Sequence, residues 1–407
     1  MKVAYIVSLF PKISETFILR EMLALRKRGV EIVVVSLKRH REVIMHSETE
    51  LLLPSTIYAS SPERALAALL FRARRQPIVT SRILAHVGIE HLAYSPILLA
   101  KSLLLVAVAA HVADLLGEHG VHRVHAHWAT YPALVAWAMK RFAGIPYSIT
   151  AHGHDIVMPN PLLRRKIEES DFMVTCSDYN KLLLAKHYGN KAIAKIHVIR
   201  HGVPLEAYAV RKAVPAGPPR IVSVGRLVDY KGFPTLLKAV ALLRERGQEV
   251  ACDIVGEGPL EPLIRSTIDS LRLNGRVRLL GAKTQEEVRK ILKGATVCVL
   301  ACEPGRGGLM DGIPNVLMEA MALGIPAVGT HLSGIPELIE DGRTGLLAEP
   351  GDSDSLAVAM DRLISDPALA ARVAEEGRQK VEESFDIAHS AAALHNLLLA
   401  DWTRSLH

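Results

Sequence analysis

Along this chain, hydrophobic positions alternate between the period of a buried strand and the period of an amphipathic helix. Lys2–Leu9 is an apolar run closed by Pro11, and Phe17, Ile18, Met22 and Leu25 then recur at helical spacing behind Ser14, which stands where an N-cap would. Gly29 ends that helix, and Glu31–Leu37 reads as a second buried strand. After a helical stretch over 60–117, strands are predicted at His122–His127, Pro146–Ala151, Phe172–Cys176 and His197–Ile199, with a helix at Tyr131–Phe142. The prolines of Val214–Pro219 can continue neither helix nor central strand, so a linker is expected at 203–219. Strands then follow at Arg220–Val224, Ala251–Val255, Val277–Leu280, Val297–Leu300 and Pro326–Val328, separated by helices at Phe233–Arg244, Leu260–Leu271, Gln285–Leu292 and Val316–Leu323.

Short apolar strands alternating with helices imply parallel sheets covered on both faces. The expectation is an α/β protein of two doubly wound, Rossmann-like domains facing a central cleft, residues 1–205 and 206–386. Residues 353–402 read as helical throughout, and the amphipathic segment Ile387–Leu399 is expected to dock residues 387–407 back on the first domain.

A length of 407 residues supports two domains, and 49% hydrophobic with 22% charged residues excludes disorder as the main state. Four cysteines without a CxxC pair argue against a disulfide framework and for a reducing, cytoplasmic compartment. The N-terminus lacks the apolar segment and cleavage site of a secretory signal. Pro96–Leu116 is interrupted by Lys101, His111 and Asp114, which favours a helix packed in the domain over one crossing a membrane.

Charge is divided unequally. Residues 1–210 carry 26 Lys and Arg against 16 Asp and Glu, a net +10, while residues 211–407 carry 23 against 26, a net −3. The first half holds Arg26-Lys27-Arg28, Lys38-Arg39-His40-Arg41 and Arg72-Ala73-Arg74-Arg75, an excess that suits an anionic partner. On charge alone, nucleic acid and an anionic membrane surface both fit.

Ligands of doubly wound sheets bind beyond the carboxyl ends of the strands. Beyond Arg220–Val224, Gly225 opens a turn in which Arg226 and Lys231 flank a helix start, a combination able to hold a diphosphate. Beyond Val297–Leu300, a glycine-rich loop leads to Asp311-Gly312-Ile313-Pro314-Asn315-Val316, with Pro314 expected in the first helical turn and Glu319 further in. Two carboxylates so spaced can reach successive parts of an extended ligand, and Lys231 and Glu319 are both expected to face an open cleft. On the residues alone, Asp311 as a helix cap and Glu319 in an ion pair remain alternatives. His125 and His127 share one strand face beside His119 and His122, but with no Cys or acidic ligand accompanying them no metal site is expected.

The series GRL…KG, IVGEGP (Ile254–Pro259), VRLLG (Val277–Gly281), Asp311…Glu319 within DGIPNVLMEAMALGIP, and SGIPELIEDGRTGLL (Ser333–Leu347) resembles the donor domain of retaining glycosyltransferases of family 4. In the first domain, FPKISETFI (Phe10–Ile18), VHAHWA (Val124–Ala129) and TAHGHDI (Thr150–Ile156) are similar to members that build bacterial exopolysaccharide, of the colanic-acid type. The resemblance covers nearly the whole chain, is most specific over 221–350 and is weaker over 40–120. It implies the GT-B fold and transfer of a sugar from a UDP- or GDP-sugar to a glycan or lipid-pyrophosphate-linked acceptor, without nucleic acid; the charge excess of residues 1–210, with the apolar helical stretch 96–116 and the basic run Arg72–Arg75, adds the expectation of attachment to the inner face of the cell membrane.

Carried over, the resemblance gives Gly225, Arg226 and Lys231 to the diphosphate, with Asn315 and Val316 beside them, and Glu319 to the ribose. His152 would touch the transferred sugar, and Glu15, Thr16, His154 and Asp155 would shape the acceptor side. The chain departs from the family twice: Asp311 stands where Glu is usual, and SETF replaces a Gly-Gly pair in the first loop. No metal is expected, because Arg226, Lys231 and helix N-termini can meet the diphosphate charge and no Asp-x-Asp motif is evident. The runners-up are a sugar-nucleotide 2-epimerase and an inert nucleotide-sugar-binding scaffold; a dehydrogenase is disfavoured, as no GxGxxG follows the first strand.

Overall fold

The computed structural model describes residues 1–39, 45–59, 61–213 and 216–404. His40 and Arg41 of the second basic run, and the first two residues of the proline-rich stretch, lie outside the described residues. The chain divides into two units, residues 1–199 with 391–407, and residues 200–390.

Unit 1 holds strands β1 (Lys2–Val7), β2 (Glu31–Ser36), β3 (Thr56–Tyr58), β4 (Arg123–His127), β5 (Tyr147–Ala151), β6 (Met173–Thr175) and β7 (Ile196–Val198). They form one sheet in the order β3-β2-β1-β4-β5-β6-β7, and every pairing is parallel. The order reverses between β1 and β4, so the loops after β1, β4 and β5 gather at the switch point. Unit 2 repeats the plan with β8 (Arg220–Val224), β9 (Ala251–Val255), β10 (Val277–Leu279), β11 (Val297–Val299), β12 (Ala327–Thr330) and β13 (Leu346–Ala348), in the parallel order β10-β9-β8-β11-β12-β13. Its switch point lies between β8 and β11.

The two-residue period of β1 sorts unit 1 into layers. Ala4 and Ile6 pack with Val106, Ala110 and Trp137, which lie on helices α4 (Pro96–Glu118) and α5 (Tyr131–Ala143) in chain order. Val3, Tyr5 and Val7 pack on the other face against Ile18, Met22 and Leu25 of α1 (Thr16–Lys27), joined by Ala391, Leu394 and Leu398. Arg123, buried, donates to the Leu398 carbonyl at 2.6 Å and to Asp171 at 2.6 Å, which fixes the C-terminal helix in unit 1.

The stretch 60–117 resolves into α2 (Pro62–Arg75), α3 (Pro77–His91) and α4, each opened by a proline whose missing N–H costs nothing there. Helix α4 is long and apolar enough by composition to cross a membrane, yet Val106–Ala110 are buried and the helix packs on α2, α3 and α5. Residues 353–402 likewise break into helices Ser353–Ser365, Pro367–Ser384 and Ile387–Arg404.

Two local expectations are corrected. Helix α1 is capped by Glu15 and not Ser14, without a side-chain bond. The expected linker begins too early: Val203 pairs with Asp386, Tyr208 is buried, and Arg211 N donates to the Leu323 carbonyl at 3.0 Å, so 203–211 is packed on unit 2.

Candidate active site

In unit 2 the loops after β8 and β9 form one construction. Gly225 N donates to Val255 O at 3.0 Å, Leu227 N to Glu257 O at 2.9 Å, and Leu260 N to Leu227 O at 3.1 Å. A Cβ at Gly256, where φ is +136°, would lie 2.0 Å from the Gly225 carbonyl, so the two loops can meet only through glycine. Gly232 is equally constrained, with φ of +65° and a virtual Cβ 1.7 Å from the Ala301 carbonyl after β11. That approach brings the Lys231 turn against the loop carrying Asp311.

The glycine-rich loop is pinned to the same turn. Asp229 accepts from the Tyr230 and Arg306 amides, each at 2.9 Å, and Thr235 Oγ1 donates to Glu303 at 2.7 Å. The amide of Arg306 chiefly holds the Asp229 carboxyl below its usual range.

Lys231 and Asp311, read from the sequence as separate contacts to diphosphate and sugar, form an ion pair with each other. Burial alone would lower the Lys231 ammonium pKa; the Asp311 carboxylate overrides it and raises it. The Lys231 side chain is 13% exposed and Glu319 only 6%, so neither stands in open solvent as expected. Arg226 is exposed.

Pro314 is the extended N-cap of helix Asn315–Ala322 and does not lie inside its first turn. Asn315 Oδ1 is buried without a hydrogen-bond partner among the described residues. Glu319 lies near β11: burial, and then its charge, raise the Cys298 thiol. Asp311 therefore caps no helix and is half of an ion pair. An Asp-x-Asp sequence does occur, at Asp352–Asp354, against expectation; Asp352 accepts the amides of Asp354 and Ser355 and caps helix Ser353–Ser365.

In unit 1 the acceptor-side residues separate. His154 is exposed, at the first turn of helix His154–Val157, and Thr16 is half-buried at the start of α1. Glu15 is buried and paired with Lys12 at 2.6 Å. Asp155 is 0% exposed and accepts the amides of Ala129 at 2.6 Å, His152 at 2.8 Å and Gly153 at 3.1 Å. Burial raises its pKa and those amides oppose the rise. Asp155 is corrected from an acceptor contact to a staple that joins the loops after β4 and β5.

His152, 8% exposed, is enclosed by rings: Trp128 at 4.4 Å, Phe17 at 4.8 Å and His127 at 5.3 Å. Trp128 has φ of +82°, rare for a bulky residue and a mark of functional loops. The expectation that no acidic group accompanies the histidines is also corrected. Glu21 of α1 reaches His127 Nε2 at 2.9 Å, and ligating atoms of Glu21, His125 and His127 lie within 4.8 Å of one another. The cluster is closed by its own hydrogen bonds, because His125 is spanned by the Ser148 and Thr150 hydroxyls, each at 2.8 Å. Sequence reasoning missed Glu21, Trp128 and Phe17; only the positions of Phe17 and Trp128 inside quoted motifs could have signalled two of them.

This architecture, two doubly wound units with their chemistry-bearing loops at the switch points, is the GT-B fold of glycosyltransferases. Residues 14–207 match the family model described as Glycosyltransferase Family 4, and residues 206–380 that of Glycosyl transferases group 1. The chain is 31% identical over 409 residues to WcaL of Escherichia coli (strain K12), a glycosyltransferase assigned to colanic acid biosynthesis, covering 95% of this chain and 96% of that protein. It is 30% identical over 406 residues to the amylovoran biosynthesis glycosyltransferase AmsK of Erwinia amylovora, with the same coverage of both chains. The chain belongs to this family of glycosyltransferases. Among solved structures, Anabaena Alr3699/HepE, crystallised with UDP and glucose, superposes with a TM-score of 0.73 at 17% identity over 98% of this chain and 100% of that one. The epimerase and scaffold readings are not favoured by these matches.

Proposed function

We propose that the protein transfers a sugar from a UDP- or GDP-sugar to a glycan or lipid-pyrophosphate-linked acceptor during cell-surface polysaccharide synthesis, with retention of anomeric configuration. The observation that carries this reading is the gathering of Arg226, Lys231, Asp311, Asn315 and Glu319 around the β8/β11 switch point of unit 2, held by glycine-only contacts. Arg226 and Lys231 bind the diphosphate beside Gly225, Asn315 and Val316, Glu319 takes the ribose hydroxyls, and His152 of unit 1 contacts the transferred sugar. The arriving diphosphate exchanges Lys231 from Asp311, which frees the carboxylate toward the sugar. The leaving phosphate accepts the acceptor's proton, and the protein's contribution is positioning and charge stabilisation. Incubation with a panel of UDP- and GDP-sugars and lipid-pyrophosphate glycans, with the product's anomeric proton read by NMR, tests the reading. An α-donor giving an α-linked product is expected; an inverted product, or epimerised donor without transfer, would contradict it.

The reading includes no metal, since cationic side chains meet the diphosphate. Turnover in excess EDTA is expected to equal that in magnesium, and a loss on chelation restored by magnesium or manganese would refute this part.

The acceptor side is assigned to the inner membrane surface. Nine of the seventeen exposed large apolar side chains among the described residues fall within 62–118, including Leu66, Leu70, Phe71, Ile78, Leu92 and Ile97. Arg64, Arg74, Arg75, Arg82 and Lys101 are exposed on the same three helices. Arg72 is not available, being paired with Asp114 and bonded to the Phe142 carbonyl at 3.0 Å. Basic residues near an anionic leaflet contribute about 1 kcal/mol each, so three or four give reversible attachment. Flotation is expected with anionic liposomes, reversed by salt and weakened by replacing Leu70 and Phe71 with serine. Equal recovery on neutral liposomes, or none on either, would contradict it.

A further inference from the structure

Trp128 stands one residue beyond the end of β4, at the switch point of unit 1, with a backbone φ of +82°. Glycine adopts that conformation freely and a bulky side chain only at a cost, so an indole kept there is held by its surroundings. Both peptide planes that flank it are fixed. The Trp128 N–H donates to the Thr150 carbonyl at 2.9 Å, and the next N–H, of Ala129, donates to Asp155 Oδ2 at 2.6 Å. The Ala129 carbonyl is gripped in turn by Lys166 Nζ at 2.6 Å and Asn160 Nδ2 at 3.1 Å. Asn160 Nδ2 also donates to the Asp155 carbonyl at 2.9 Å, and Lys166 Nζ to Asn160 Oδ1, so the three side chains form one cluster around the loop. Lys166 is 2% exposed, and a buried ammonium is costly unless it is well bonded. Methionine would fill the same space without that cost; what the ammonium adds is its hold on the loop.

The indole so placed lies among other rings, its centroid 4.4 Å from His152, 6.2 Å from Phe17 and 6.5 Å from His154. Trp128 and Phe17 are half-buried and His154 is exposed, so the group reaches the surface beyond the carboxyl ends of the strands, where doubly wound sheets bind ligands. An aromatic face beside hydrogen-bonding imidazoles matches a pyranose, which presents C–H groups on its face and hydroxyls around its rim. We propose that Trp128 is a specificity-determining residue that packs against the C–H face of the acceptor's terminal pyranose, and that Asp155, Asn160 and Lys166 are positioning residues that hold it there. An open-chain polyol has no such face and is selected against. The assignment to the acceptor rests on the proposed contact between the neighbouring His152 and the transferred sugar, since the attacking hydroxyl must come within bonding distance of that sugar; the contact of Trp128 with a pyranose does not.

The test is fluorine NMR on the full-length protein labelled with fluorotryptophan, with Trp128 and the buried Trp137 of α5 assigned through Trp128→Phe and Trp137→Phe. Titration with the methyl glycosides of glucose, galactose, mannose and fucose is expected to shift the Trp128 resonance for at least one of them while that of Trp137 stays in place, and glucitol should shift neither. Saturation-transfer signals of that glycoside should fall about fivefold in Trp128→Leu, the scale of one aromatic contact, and persist in Trp128→Phe. Lys166→Met and Asn160→Ala should each displace the Trp128 resonance and weaken glycoside binding; Asn160 is half-buried, so its variant decides the matter if the lysine variant does not fold. No shift with any glycoside, or an equal shift with glucitol, would overturn the sugar contact, and a Trp128 resonance unmoved in these variants would overturn the positioning role. A shift with UDP-glucose or GDP-mannose and none with the free glycosides would overturn the assignment to the acceptor. Glycoside binding at Trp128 in a protein that transfers no sugar would instead refute the transfer reading and leave the contact standing.

Discussion

Glu319→Gln is expected to lower kcat/KM by about 10- to 100-fold while leaving the fold intact, with a single cooperative melting transition. The carboxylate is 6% exposed on a helix whose residues Val316–Ala322 are all buried. A charge held there costs stability unless it is well bonded. Glutamine preserves the shape and keeps an acceptor oxygen, whereas loss of a charge-assisted bond to a ribose hydroxyl removes about 1.5–3 kcal/mol of binding. Activity falling while stability holds is the signature of a residue kept for its ligand. Activity at the wild-type level would withdraw Glu319 from the site, and a fall in both quantities would make it a structural residue.

Asp155→Ala is expected to do the opposite, destabilising unit 1 by about 3–5 kcal/mol, the usual cost of removing one partner from a buried charged network. Three backbone amides lose their acceptor at once. Lys166 is affected as well: burial depresses its ammonium to about 7, and the charge of Asp155 is what opposes that depression. Its Nζ donates to the Ala129 carbonyl at 2.6 Å, so the loop after β4 loses support from two directions. Urea denaturation measures the effect. A loss under about 1 kcal/mol with a raised KM for acceptor alone would return Asp155 to the acceptor-contacting role read from the sequence.

These two residues show what could be read before the structure. The long periodic segments were legible, and β8 and β9 have the bounds predicted for them, because a largely buried parallel strand leaves a short, predominantly apolar run even with Ser223 or Asp253 inside it. Strands β3 and β13 were missed, although β6, β7, β10 and β11, also of three residues, were read as short apolar runs; so short a strand carries no period of its own. Residue types at the donor loops were legible through the family resemblance, but not their pairing, since Lys231 and Asp311 lie 80 positions apart. Nor could the sequence show that Asp155 faces inward, or that Glu21 meets His127 across 106 residues. Burial and long-range hydrogen bonding are products of packing, and a polar residue inside a quoted motif looks the same whether it touches a ligand or holds a loop.

The central claim is that unit 2 binds a nucleoside diphosphate through the loops of Arg226, Lys231 and Glu319. Calorimetric titration of UDP and of GDP into the full-length wild type, Lys231→Ala and Glu319→Gln proteins tests it most directly. One of the two nucleotides is expected to bind the wild type, with affinity at least tenfold weaker in each variant. Equal affinity in all three proteins, or no binding of either nucleotide to the wild type, would contradict the account.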